Sequence, residues 1–298
     1  MQFTGIIPPL VTPFDADGVI RFDALASEVH YLLDRGVHGL SLGGSTGEGA
    51  LLSDQELVDG IELLKQENDR DVPIVCGIIR NSAADAIRAG KRVADAGADA
   101  VMVTPTYYHG TDDDGNFTYY QMISEQVGLP IIIYNVIDRN PIRPNLMLRL
   151  CDIPNIIGIK QSYGGLDGFN AMHSTCAGKT MVYGAQDDAL YGDYILGADG
   201  AISAILAVFP ELCVEQWDAV QEGDLGRARD IHALLFPIWQ IIKESGMSFP
   251  GRIKALLKLL GRDGGLPRAP IFEPTQSVVK RLRDSLDQAG LLPVSMNV

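Results

Sequence analysis

Short apolar runs that do not alternate with polar residues recur along the first two thirds of the chain, and most are followed by a stretch of helical periodicity. "GIIPPLVTPF" (5–14) opens the series, followed by "HGLSLGG" (38–44), "VPIVCGI" (72–78) and "ADAVMVTP" (98–105). "LPIIIYNV" (129–136), "NIIGIKQS" (155–162), "KTMVYGA" (179–185) and "ADGAISAI" (198–205) complete it. Unbroken Val/Ile-rich runs are expected of strands buried on both faces. Between them, "FDALASEVHYLLDRG", "SDQELVDGIELLKQEN" and "SAADAIRAGKRVADAG" read as amphipathic helices ending near Gly, a common helix stop. "LSDQE" predicts a helix start with Ser53 as N-cap and Glu56 three residues on.

Eight alternating units predict an α/β fold, a (β/α)8 TIM barrel. The competing doubly wound sheet usually carries a glycine-rich dinucleotide fingerprint after its first strand, and "PPLVTPF" has none. From about residue 209 the pattern changes to helices only: "PELCVEQWDAVQEGD", "LGRARDIHALLFPIWQIIKESG", "PGRIKALLKLLG" and "QSVVKRLRDSLDQAG". No linker intervenes. The expected organisation is a barrel over 1–208 and a C-terminal helical extension over 209–298, packed on it.

Composition narrows the partners. A formal net charge of −14 disfavours nucleic acid and anionic membrane surfaces, although a few local cations can still govern an anionic substrate. Four cysteines lack CxxC or metal-ligand spacing, and five histidines form no HExxH pattern, so neither a disulfide framework nor a metal site is expected. No secretory leader or membrane-length apolar run stands out, and the expected location is the cytoplasm.

Barrel active sites form at the C-terminal ends of the strands. After the second run, "GGSTGEG" sets Ser45 and Thr46 among glycines, either as an ordinary turn or as a loop offering N–H groups to a carboxylate. After the fourth, "TPTYYHG" brings Tyr107 and Tyr108, a pair of the kind more often used for packing. Tyr134 ends the fifth run, with Arg139 five residues on: a phenol for proton transfer and a guanidinium for a carboxylate. Lys160 ends the sixth. A snorkelling lysine at a strand end is the plain explanation. The chemical one is that apolar surroundings lower a lysine's pKa, and a neutral amine attacks a ketone to form an imine. Imine chemistry needs the lysine, a proton shuttle and a grip on the keto acid's carboxylate. Lys160, Tyr134 and the Ser45/Thr46 loop supply all three.

With "GGSTGEG", "TPTYYHG", "YNVIDR" and "IIGIKQS" in that order, the sequence resembles the dihydrodipicolinate synthase / N-acetylneuraminate lyase family of Schiff-base-forming class I aldolases. The likeness extends through "YGAQDD", "GADGAIS" and "PGRIKALLKLLG" to essentially the whole chain. It implies that Lys160 forms the imine with pyruvate or another 2-keto acid, and that Tyr134 shuttles protons. Ser45 and Thr46 would hold the carboxylate and join the relay, and Tyr107, or else Tyr108, would complete it across a tight dimer interface. Ile202 would place its carbonyl beside the reacting centre. The resemblance also implies no metal or organic cofactor and a homotetramer built as a dimer of dimers.

For the aldehyde, Arg139 matches the arginine by which dihydrodipicolinate synthases hold aspartate semialdehyde. Ile137 in place of a proline, "KQS" in place of KEA, and the "TPTYYHG" and "GSTGE" forms resemble instead the neuraminate-lyase and sugar-acid side. The expected function is therefore a dihydrodipicolinate-synthase-like lyase or synthase. The alternatives are a neuraminate-lyase-like enzyme, an aldolase or dehydratase of 2-keto-3-deoxy sugar acids, or a barrel that binds 2-keto acids without catalysis.

Overall fold

A computed structural model describes residues 2–293. Its strands are β1 (Gly5–Ile6), β2 (Leu40–Leu42), β3 (Ile74–Ile78), β4 (Ala100–Val103), β5 (Ile131–Asn135), β6 (Ile156–Gln161), β7 (Met181–Gly184) and β8 (Gly200–Ala201). Each falls inside one of the eight apolar runs. All pair in parallel in the order β1-β8-β7-β6-β5-β4-β3-β2. A parallel bridge between Pro9 and Ser41 links the first and last strands of that order, so the sheet closes on itself.

The helices of the barrel are α1 (Phe22–Leu33), α2 (Asp54–Glu67), α3 (Ala83–Asp95), α4 (Asp113–Val127), α5 (Pro144–Leu150), α6 (Gly165–Cys176), α7 (Leu190–Ile195) and α8 (Ala204–Val208). Ser53 caps α2 in a full capping box with Glu56. The (β/α)8 TIM barrel is present as the alternation predicts.

Two cores follow from strand alternation. Ile131, Ile133 and Ile159 point outward into the large core beneath the helices. Ile7, Val75, Ala100, Met102, Ile132, Tyr134, Tyr183 and Ile202 fill the barrel interior. Gly158 is required by this filling. A Cβ there would stand 2.9 Å from the Tyr183 ring and 3.0 Å from the Met181 carbonyl.

The extension comprises α9 (Pro210–Glu222), α10 (Leu225–Lys243), α11 (Phe249–Leu259) and α12 (Gln276–Gln288). Packed against β1, α7 and α8, α9 carries the helical layer straight on from the barrel. Between α11 and α12, in the interval the helical segments leave, residues 260–275 form an irregular strap. Its glycines and prolines, in "GRDGGLPRAP", exclude a helix. Gly265 has φ +65°, and a Cβ there would lie 2.6 Å from Pro13 Cα.

The strap is tied to the barrel by polar bonds. Leu266 bridges to Phe14, and the Arg268 guanidinium reaches Glu56 and the carbonyls of Gly18 and Leu51. Beside it, the buried Arg262 pairs with the buried Glu28 and donates to the carbonyls of Ala207 and Val208. Buried charges persist when paired and fully hydrogen-bonded, as these are.

One buried acid is not so provided. Asp193 on α7 packs against Gly184, and its Oδ1 has no hydrogen-bond partner among the described residues. Burial, aided by the nearby Asp188 charge, pushes its carboxyl up to about 8. The folded chain therefore holds a proton that the unfolded chain releases between about pH 4 and about pH 8, and stability falls as pH rises through that window. Asp193→Asn cannot ionise. Its unfolding free energy in urea should gain on the parent chain's from about pH 5 to about pH 8; a constant gap would contradict this account.

Candidate active site

At the C-terminal ends of the strands, register sets the central contacts. Tyr134 of β5 lies opposite Lys160 of β6, which lies opposite Tyr183 of β7. Lys160 is buried, with its Nζ 3.9 Å from the centre of the Tyr134 ring. The phenol of Tyr134 donates to Ser45 Oγ at 3.0 Å. Lys160, Tyr134, Ser45 and Thr46 line one cavity of about 400 Å³. The structure thus brings the lysine, the phenol and both hydroxyls together. The hydrogen bond from Tyr134 falls on Ser45; Thr46 lines the same cavity, buried.

The glycines around those hydroxyls serve packing. A Cβ on Gly49 would sit 1.7 Å from the Gly43 carbonyl oxygen, one on Gly77 2.5 Å from it, and one on Gly47 2.7 Å from the Leu10 carbonyl. Backbone therefore packs on backbone, and the loop is rigid. Among the described residues, the N–H groups of Ser45 and Thr46 make no hydrogen bond, which leaves them able to meet a carboxylate. Glu48 closes the loop in the left-handed region, at φ +58°. Its buried carboxylate pairs with the buried Lys254 of α11 at 2.5 Å and accepts the Arg268 N–H at 2.8 Å. Lys254 also donates to the carbonyls of Thr12 and Leu266. Burial outweighs the pull of Glu48 and lowers the Lys254 ammonium to about 8.

Ile202 lies at the end of β8, fully buried, its N–H donated to the Gly184 carbonyl. Tyr107 is half-exposed in a separate apolar groove that also touches Ser45, Leu51 and Ile271. Tyr108 stands in solvent, edge-on to His109. Both tyrosine N–H groups donate to Asn81 Oδ1. Of the two, Tyr107 is the one that shares a groove with Ser45. Arg139 is not gathered with the others: it is exposed and lines an adjacent surface groove with Asp112, Asp138 and Arg143. In "KQS", Gln161 is a buried brace. Its Oε1 accepts from Asn135 and its Nε2 donates to the Tyr163 carbonyl, while Ser162 lines the cavity.

Several lining groups were missed in the sequence. Gln186, Asp187 and Asp188 follow β7, and Trp239, Lys243 and Phe249 come from the extension. Asp187 accepts the Ile205 N–H. Burial pushes its carboxyl up to about 6, against the hydrogen bonds of Ser203 and Ile205 and the Lys160 charge. "YGAQDD" at a strand end was a signal for the carboxylates. No local pattern marks Trp239 or Lys243, which arrive by tertiary packing. Among the described residues, no cluster of three or more His, Cys, Asp or Glu is placed to hold a metal ion.

A closed parallel barrel with a buried strand-end lysine laid against a phenol defines a class of lyases, those that work through an imine on lysine. Within that class the chain belongs to the dihydrodipicolinate synthetase family, whose model matches residues 2–289. It is 33% identical to a 4-hydroxy-tetrahydrodipicolinate synthase of Methanopyrus kandleri, over 98% of each chain. The enzyme of the same name from Archaeoglobus fulgidus is 32% identical, over 98% of this chain and all of the relative. Among solved structures, YagE superposes with a TM-score of 0.92 at 30% identity, over 98% of this chain and 100% of that one. YagE is an E. coli K12 prophage protein of the dihydrodipicolinic acid synthase family, solved with pyruvate.

Lys254→Met leaves the Glu48 carboxylate buried without its cation, at a cost of about 3–5 kcal/mol. The double change Glu48→Gln with Lys254→Met should recover part of that loss in chemical denaturation. If the single variant is as stable as the parent chain, the pair does not hold the loop.

Proposed function

We propose that the chain is a pyruvate-type Schiff-base synthase or lyase, dihydrodipicolinate-synthase-like in its chemistry. The observation that carries this is Lys160 Nζ, buried and seated 3.9 Å from the ring of Tyr134, whose hydroxyl reaches Ser45. The 2-keto acid enters with its carboxylate toward the N–H groups and hydroxyls of Ser45 and Thr46. The amine of Lys160 adds to the ketone, and water leaves as the iminium forms. The positive nitrogen acidifies the carbon next to the C=N carbon, which loses a proton to the relay through Tyr134, and the iminium becomes an enamine nucleophilic at that carbon. That carbon attacks the aldehyde carbon, the new C–C bond forms, and Tyr134 delivers a proton to the aldehyde oxygen. Water then hydrolyses the iminium and returns the amine. Run backwards, the same steps cleave the bond.

The Tyr134–Ser45 contact gives the relay its first link. Tyr107, beside Ser45 and open to an approaching partner, gives a route for the next. On the same reading Ile202, buried just past β8, supplies the carbonyl that lies beside the reacting centre. In this reading the chain works in the cytoplasm as a homotetramer of two tight dimers, with 1–208 and 209–298 acting as one catalytic unit. Among the described residues, no helix is long and apolar enough to cross a membrane.

Reduction with borohydride in the presence of pyruvate should add a covalent mass at Lys160, read by peptide mass spectrometry. Lys160→Ala should abolish both adduct and turnover. Tyr134→Phe keeps the ring under the amine but removes the proton carrier, so turnover should fall by about 10²–10⁴. A folded chain with no adduct would sink the imine reading. An adduct without turnover on any aldehyde would leave a binding barrel. Product mass separates C–C chemistry from dehydration, and light scattering measures the assembly.

A further inference from the structure

Away from the site, two thiols meet at the other end of the barrel. Cys151 is the C-cap of α5, its N–H donated to the Met147 carbonyl at 2.9 Å. Cys176 is the last residue of α6, which packs beside α5. The Cys176 thiol donates a hydrogen bond to the Cys151 sulfur. Cys176 Sγ also lies 3.8 Å from Met172 Sδ. Cys151 precedes β6 and Cys176 precedes β7, so the pair sits at the N-terminal ends of the strands, opposite the Lys160 rim.

The two thiols differ in what can reach them. Cys176 is fully buried, whereas Cys151 is partly exposed. The hydrogen bond from Cys176, helped by the Lys179 charge, pulls the Cys151 thiol below its ordinary range, against burial and the Asp152 charge. The same hydrogen bond, together with burial, pushes the Cys176 thiol up. Cys76 and Cys213 have neither feature. Both are buried, burial raises both thiols, and their sulfurs face the carbonyls of Gly77 and Ile205.

We propose that Cys151 and Cys176 form a reversible oxidation site, at which hydrogen peroxide converts the thiol pair to a disulfide joining the ends of α5 and α6. The Cys151 thiolate, its proton lost to solvent, attacks one oxygen of the peroxide. The O–O bond breaks, and the leaving hydroxide takes up a proton to become water. Cys151 is then a sulfenic acid, oxidised by two electrons, and no longer carries the charge that held the Cys176 proton. The Cys176 sulfur attacks the Cys151 sulfur, the S–O bond breaks, and the hydroxyl departs with the Cys176 proton as water. Two thiols and one peroxide thus give one disulfide and two waters. The sulfurs must close to about 2.05 Å, and residues 151–155, which lie in neither helix nor strand, supply the movement. The bond closes a loop that contains β6 with Lys160, so it restrains the unfolded chain and adds stability.

The test treats the folded full chain with a small excess of hydrogen peroxide, alkylates the remaining thiols and maps unreduced peptides by mass. The expected product is a Cys151–Cys176 link, two hydrogens lighter than the reduced pair. It should form at least about tenfold faster than Cys76 or Cys213 is lost. Dithiothreitol should reverse it, and Cys151→Ser should form none. Cys176→Ala should leave a sulfenic acid at Cys151 that a cyclic 1,3-diketone traps. If that variant does not fold, the parent chain's map still decides. The oxidised parent should unfold at higher urea than the reduced one. Both thiols alkylated after treatment overturn the proposal. So does a link between two chains, or a sulfinic acid at Cys151 without a link. An unchanged urea midpoint overturns the stabilising role of the bond.

Discussion

The site depends on one constraint of strand geometry: side chains alternate faces, and parallel neighbours hold their register. With Tyr134, Lys160 and Tyr183 level across three adjacent strands, the amine is set 3.9 Å from the centre of the Tyr134 ring by strand register. The filled barrel below, with Gly158 making room for Tyr183, removes water from that end of the lysine. The Ser45/Thr46 loop can be short and rigid because it has only to meet a phenol already in place. Precision at the reacting centre comes from backbone hydrogen bonds, which are the least adjustable part of the fold.

Much of this was legible in the chain because the signal and its cause share a period. Unbroken Val/Ile runs mark strands covered on both faces, and the residue that ends each run stands at the catalytic rim. Lys160, Tyr134 and Ser45 therefore group together from the chain's pattern alone. Arg139 shows where that logic lapses. It lies four residues beyond the end of β5, where period-two alternation no longer says which way a side chain points, and it faces the outer groove. The "GGSTGEG" glycines were legible as a loop, but their reason lies in Gly77 and Leu10, contacts no local pattern reveals.

The extension was legible as helices and illegible as a wall of the site. Amphipathic periodicity says that α10 buries one face; it does not say that Trp239 and Lys243 meet the loop after β7. Nor does it show that "GRDGGLPRAP" becomes a strap bonded to Phe14, Gly18, Leu51 and Glu56. The cavity has two walls of different origin. Strand ends and the loops after them give Ser45, Thr46, Tyr134 and Lys160, and the extension gives Trp239, Lys243 and Phe249.

The ion pair between Glu48 and Lys254 links residues 206 positions apart. Contacts so distant in sequence close late, after the entropy of the intervening chain has been spent. During synthesis the barrel strands emerge well before Lys254. Until it docks, Glu48 has no cation, and the loop bearing Ser45 and Thr46 lacks its anchor. The rim that bears Ser45 and Thr46 is thus anchored only when chain from both ends of the sequence has come together.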